Sequence, residues 1–88
     1  MTGESAAGLV DVLLPQSGMG MQDGEIQSWL KREGDSVSQG EVIVEVEAAK
    51  ALVEIEAPCD GILDSIVASE GETVLVRAVI ARIRPSPA

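Results

Sequence analysis

Histidine, phenylalanine and tyrosine are absent from this 88-residue chain, and it has one tryptophan, Trp29, and one cysteine, Cys59. Without histidine there is no Ser-His-Asp constellation, nothing to activate the Cys59 thiol as a nucleophile, and little scope for zinc. No metal site is expected, and no catalysis by the chain itself. One cysteine makes no internal disulfide, which points to a reducing, cytoplasmic setting and leaves Cys59 as a small, partly buried residue after Pro58. No apolar run approaches bilayer-spanning length, and Met1–Gly8 lacks the basic and apolar regions of a signal peptide. Cations are scarce as well. Six Lys and Arg against fifteen Asp and Glu give a net charge of -9, which argues against nucleic acid and against anionic membrane surfaces. Such acidity serves solubility, recognition by basic partner surfaces, or both.

What the chain has is β-branched Val and Ile, nine glycines and four prolines, the mixture of an all-β domain with short strands and many turns. Its length allows one domain with a small core. Residues 23–47 and 60–84 align without gaps at an offset of 37. Asp23-Gly24 matches Asp60-Gly61, Glu33-Gly34 matches Glu70-Gly71, Val37 matches Val74, and Val42-Ile43 matches Val79-Ile80. Solenoids need about three or more copies to bury a core, so two copies predict a closed, quasi-two-fold structure in which each half covers the other. Expected strands are Val10–Leu14, Glu25–Lys31, Val42–Glu47, Leu52–Ala57, Ile62–Ala68 and Val79–Arg84, with glycine turns at Gly34 and Gly71. The shared apolar positions Ile26, Val37, Val46, Leu63, Val74 and Ile83 are the expected core, with Trp29 and its mate Ile66 undecided between core and outer face. Met19 and Met21, in an irregular loop, are expected to cover a core edge. Residues 1–8 are read as a tail, 9–84 as the domain, and 85–88 as a tail or the start of a linker.

Residues 42–57 alternate apolar and acidic. With Ala49-Lys50 central to a tight turn, Ala48 pairs with Ala51, Glu47 with Leu52, Val46 with Val53, Glu45 with Glu54 and Val44 with Ile55. Val44, Val46, Val53 and Ile55 then form a core face, while Glu45, Glu47, Glu54 and Glu56 form the outer one; a slip of one residue would ruin both. The turn lacks the Asn-Gly or Asp-Gly that two-residue loops prefer, although Ala and Lys tolerate a type I turn. Glu45 opposite Glu54 places like charges across the ladder. A hairpin built only for stability would avoid both features. Of the two lysines, Lys31 reads as solvated charge and Lys50 stands at the apex between alanines. The residues alone leave Lys50 between two readings, a polar turn residue and a presented amine.

At this point the chain resembles the biotinyl/lipoyl attachment domains over roughly residues 9–84. Leu14-Pro15 through Met21, the Gly34-Asp35-Ser36-Val37 turn, and Glu47-Ala48-Ala49-Lys50-Ala51 are similar to lipoyl domains of 2-oxoacid and acetoin dehydrogenase acyltransferases. The family places its modified lysine sixteen residues after one glycine and eleven before another, positions held here by Gly34 and Gly61. The resemblance implies a flattened barrel-sandwich of two four-stranded antiparallel sheets, and a lipoyl group attached to Lys50 as a swinging arm. It also implies a set of partners: a lipoyl ligase or octanoyl/lipoyl transferase, a thiamine-dependent dehydrogenase, a dihydrolipoamide acyltransferase and a dihydrolipoamide dehydrogenase. Glu47, Glu54 and Glu56 would help those partners orient the arm. The family tip commonly reads Glu-Thr-Asp-Lys-Ala, or Glu-Thr-Ala-Lys-Ala in some branched-chain-type enzymes, so Ala48 replaces the threonine and Ala49 stands where the aspartate often sits. Biotin carriers flank their lysine with methionines, so Ala49 and Ala51 disfavour biotin. A biotin carrier and an unmodified β-barrel adaptor are the alternatives.

Overall fold

The computed structural model describes residues 8–16 and 20–86. The expected tail residues 1–7 and 87–88, and Met19 of the irregular loop, lie outside them. Eight strands occur among the described residues: β1 (Val10–Leu13), β2 (Asp23–Trp29), β3 (Ser36–Val37), β4 (Val42–Ala48), β5 (Ala51–Glu56), β6 (Gly61–Ile66), β7 (Thr73–Leu75) and β8 (Val79–Pro85). They form two four-stranded antiparallel sheets ordered β1-β8-β6-β3 and β5-β4-β2-β7. This is the all-β sandwich expected from the repeat and the resemblance. The two short strands β3 and β7 were not expected as strands, and β8 runs one residue into the stretch read as a tail.

The two orders interconvert when β2, β3 and β4 are exchanged for β6, β7 and β8, and β1 for β5, so the repeat is a true structural two-fold. The hydrogen bonds obey it in detail. Gly34 N donates to Leu63 O and Gly71 N to Ile26 O, both at 2.8 Å. Across the axis, Ile66 N donates to Glu33 Oε2 (2.7 Å) and Trp29 N to Glu70 Oε2 (2.8 Å), so each repeat lends a carboxylate to a strand end of the other. Such charge-assisted bonds are stronger than neutral ones. Bulges repeat as well. The β4–β5 register shifts between Val42 and Val44, and the β2–β4 and β6–β8 registers shift past Gln27 and Asp64. A bulge breaks the two-residue alternation, which is how Ile43 and Val44 are both buried, as are Ile80 and Ala81.

The core holds Ile26, Val37, Val46, Leu63 and Ile83, as expected, joined by Leu14, Ile43, Val44, Ile55 and Ile80. Val74, also expected in the core, is only half-buried and packs against it, whereas its mate Val37 on the short edge strand β3 is buried, so the two-fold is not exact at the edges. Met21 is buried, in keeping with its expected place at a core edge. Trp29 and Ile66 settle together as partly buried residues, and Trp29 Nε1 donates to Ala68 O at 2.8 Å, which satisfies the indole. Their neighbours Leu30 and Val67 are exposed together, at 49% and 47%.

Candidate functional site

Lys50 sits at the tip of the β4–β5 hairpin, the longest-paired ribbon of the second sheet. The ladder pairs Ala48 with Ala51, Glu47 with Leu52, Val46 with Val53, Glu45 with Glu54 and Val44 with Ile55, the register derived from the alternation. Ala49 and Lys50 are the two residues between the strands. Both have positive φ, 52° and 66°, so the turn is of the type I′ kind and not the type I that Ala and Lys would tolerate. The reason lies in the strands. A right-twisted ribbon closed by two residues matches a primed turn, and the tip accepts left-handed alanine and lysine to keep that twist.

Ala48 is buried beneath the tip, whereas Ala49, Lys50 and Ala51 are exposed. The Lys50 ammonium group has no hydrogen-bond or ion-pair partner among the described residues. The other lysine, Lys31, pairs with Glu41 at 3.2 Å; a Ser38 backbone bond and the lysine together hold the Glu41 carboxyl below its usual range. The two landmark glycines serve different ends. Gly34 has φ of 95° in a turn with open space around it, while Gly61 lies against β8 with no room for a Cβ. Neither touches the tip; they fix the body on which the hairpin stands.

The face below the tip is acidic. Glu47 stands opposite Glu25 as well as Leu52, and Gln27 Nε2 donates to Glu47 Oε1 at 3.3 Å. Glu25, Glu45, Glu47, Glu54 and Glu56 have no cationic partner among the described residues. The symmetry mates of Glu45 and Glu47 on the other sheet are Arg82 and Arg84, which pair with Asp11 (3.1 Å) and Asp64 (2.7 Å). One outer face is neutralised and the other, leading to Lys50, is left charged.

Away from the tip, Cys59 is partly buried; burial, then the neighbouring Asp60 carboxylate, pushes its thiol pKa up, the opposite of what a nucleophile needs. No group of metal-binding side chains occurs among the described residues, and no helix there is long and apolar enough to cross a membrane. Of two shallow grooves, one lies between the edges of β1 and β5 and the other beside Trp29 and Ile66, and neither includes Lys50. The chemistry available to the site is therefore that of a solvent-facing primary amine on a stiff mount.

Comparison with known proteins places this two-fold β-sandwich among the attachment domains. The family model for biotin/lipoyl attachment, whose description is "Biotin-requiring enzyme", matches residues 10–83, and the chain belongs to this family. Among curated relatives, it is 40% identical over 75 residues to the dihydrolipoyllysine-residue succinyltransferase component of the 2-oxoglutarate dehydrogenase complex of Escherichia coli K12, covering 85% of this chain and 18% of that one. It is 41% identical over 73 residues to the acetyltransferase component of the pyruvate dehydrogenase complex of Rickettsia typhi, covering 82% and 18%. Among solved structures, the lipoyl domain of the E. coli succinyltransferase component superposes with a TM-score of 0.73 at 38% identity, covering 90% of this chain and 99% of that domain. The chain thus spans about a fifth of the length of the curated relatives and nearly all of a lipoyl domain.

Proposed function

We propose that this chain is a lipoyl carrier domain, non-catalytic in itself, that moves acyl groups between active sites of a 2-oxoacid or acetoin dehydrogenase-type complex, with Lys50 as the attachment residue. The observation that carries the reading is the placement of the one unpaired lysine on a two-residue turn, with nothing but alanine methyl groups beside it. Relatives named as dihydrolipoyllysine-residue acyltransferases favour lipoyl over biotin as the adduct. The residues present fit such a group: a primary amine clear of the body, able to form an amide. When attached, the lipoyl group supplies a dithiolane able to take up an acyl group with reduction, release it to coenzyme A and be reoxidised.

The chain's own part is mechanical and electrostatic. The paired strands β4 and β5 hold the Lys50 backbone rigid, so the arm moves about a fixed pivot. Tethering replaces free diffusion by a high local concentration at each partner site. Ala49 and Ala51 leave the amine open to a lipoyl ligase or an octanoyl/lipoyl transferase. Glu47, Glu54 and Glu56 give basic surfaces on the thiamine-dependent dehydrogenase, the dihydrolipoamide acyltransferase or the dihydrolipoamide dehydrogenase something to orient against.

Intact-mass analysis of the chain from its native host, followed by peptide mapping, tests the proposal. A lipoyl or octanoyl adduct on Lys50, with Lys31 unmodified, is the expected result. Biotin on Lys50 would establish the biotin-carrier alternative, and no adduct under conditions where other lipoyl domains are modified would leave a plain adaptor.

A further inference from the structure

The two-fold gives each position an internal control, and one corner fails it. Four turns among the described residues share a backbone bond from the fourth residue's N–H to the first residue's carbonyl: 32–35, 38–41, 69–72 and 75–78. In each the third residue is left-handed. Three use glycine, Gly34 (φ 95°), Gly40 (φ 86°) and Gly71 (φ 90°), and the fourth uses Arg77 (φ 71°). The same turn holds Leu75, the most exposed large apolar side chain among the described residues at 67%, where the mate is Ser38. A left-handed arginine and an uncovered leucine each work against stability where the other half of this protein uses glycine and serine.

Both oddities stand at the lysine end. Glu25 pairs with Glu47 and Thr73, and Asp23 pairs with Leu75. Asp23 and Leu75 thus lie two residues beyond the Glu47–Glu25–Thr73 row, on the side toward which β4 runs into the Ala49-Lys50 turn. Two strand spacings put Leu75 about 10 Å to the side of the tip. Arg77 follows, its N–H donating to Leu14 O at 2.7 Å, and its guanidinium has no ion-pair partner among the described residues. The mates Ser38 and Gly40 occupy the far end, where no lysine is presented.

We propose that the Leu75–Arg77 turn is the specificity contact by which the acyl-donating, thiamine-dependent dehydrogenase recognises this domain, through an apolar depression with a carboxylate beside it; this rests on the carrier reading above. The chemistry of the partner follows from the pair: Leu75 needs apolar cover, and Arg77, a cation without an ion-pair partner among the described residues, needs an anion and fixes which way round the domain docks. The choice of enzyme follows from distance. A modifying enzyme must close on the Lys50 amine itself, whereas an enzyme reacting at the far end of the arm meets the domain across its whole end, 75–77 included. Of the arm-end enzymes, the dehydrogenase decides which acyl group is carried, and recognition beyond the lysine matters most there.

The test uses the 88-residue chain, lipoylated or not, with Leu75→Ser, Arg77→Gly and both together, each residue becoming its own symmetry mate. The dehydrogenase is the host enzyme that acylates the lipoylated parent. Affinity of the unmodified chain for that dehydrogenase is measured by NMR titration, and KM and kcat are measured with the lipoylated chain and with free lipoamide. Each single change is expected to weaken binding and raise KM about fivefold to tenfold, as truncation of an interface anchor does. The Lys50 ligation rate, activity on free lipoamide and folding should hold, and Arg77→Lys should recover part of the affinity. Unchanged affinity in all variants overturns the proposal, as does an equal loss in ligation, which would assign the turn to the ligase. A parent that is never lipoylated, or that no host dehydrogenase acylates, defeats the carrier reading itself, and this proposal with it.

Discussion

Gly24 and Gly61 are two-fold mates, and the same substitution at each should have unequal cost. A Cβ built on Gly61 collides with the backbone carbonyl oxygen of Arg84 and lies 2.9 Å from Ile83 Cγ2. Ordinary contact needs about 1 Å more, and a strand pair cannot supply it locally, because Gly61 is paired with Pro85 and Ile62 with Arg84. The end of β8 must lift away, losing ladder bonds and loosening Ile83, a fully buried core residue. On Gly24 the nearest atom is Val46 Cγ1 at 2.6 Å, with backbone no closer than Glu47 O at 3.5 Å. Here a buried side chain, not the ladder, must give.

Overpacking a core costs about 1–3 kcal/mol, with larger values where backbone must move. Gly24→Ala is therefore expected at about 1–2 kcal/mol and Gly61→Ala at about 3 kcal/mol or more. In a domain of this size each kcal/mol lowers Tm by about 4–8 °C, so Gly61→Ala should lose about 12–24 °C and Gly24→Ala roughly half that. Thermal unfolding followed by far-UV circular dichroism, with urea titration as a second measure, reads both. If Gly24→Ala proves the costlier, or Gly61→Ala falls within about 0.5 kcal/mol of the parent as a surface change would, then the contact geometry is not what makes Gly61 a landmark of the family.

Much of this fold is legible because its information is periodic. The offset of 37 residues announced the two-fold, and the apolar-acidic alternation of 42–57 set the hairpin register. What escaped was aperiodic or too short. Strand β3 is two residues long and β7 three, below any alternation, and they exist because their mates in the ladder, β6 and β2, hold them. The bulges put Ile43 beside Val44 on the core side, which a strict period of two forbids. At the tip, Ala49-Lys50 has none of the glycine that marks a primed turn, so strand twist overrode local preference. Arg77 is the instructive omission. It falls under Gly40 at the offset of 37, and a glycine that one repeat fails to copy was a visible sign of strain near the site.

Three further outcomes follow from the tip and its surroundings. Lys50→Ala should abolish the adduct while moving stability by no more than about 0.5 kcal/mol, since the residue is exposed and its ammonium has no ion-pair partner among the described residues; urea unfolding and intact mass check the two halves separately. Cys59 should react with iodoacetamide more slowly than a free thiol at mildly alkaline pH, because burial first and Asp60 second raise its pKa and lower its thiolate fraction. For a thiol shifted this way, the stability due to the neutral form is present below the unfolded-state pKa and lost as pH rises through the folded-state value. The last outcome concerns Ala49, whose φ of 52° is a conformation that glycine, asparagine and aspartate accept more readily. Left-handed backbone costs an ordinary residue about 1–2 kcal/mol, and Ala49→Gly removes that cost but adds about 0.4–1 kcal/mol of unfolded-state freedom. A net gain of about 0.5–1 kcal/mol should raise Tm by about 2–8 °C. Ala49→Asp, which introduces the residue that often stands there in the family, should stabilise as well without the entropic cost of glycine. If both substitutions lower Tm, the tip is not strained, and the positive φ values at 49 and 50 cannot be what twist demands of it.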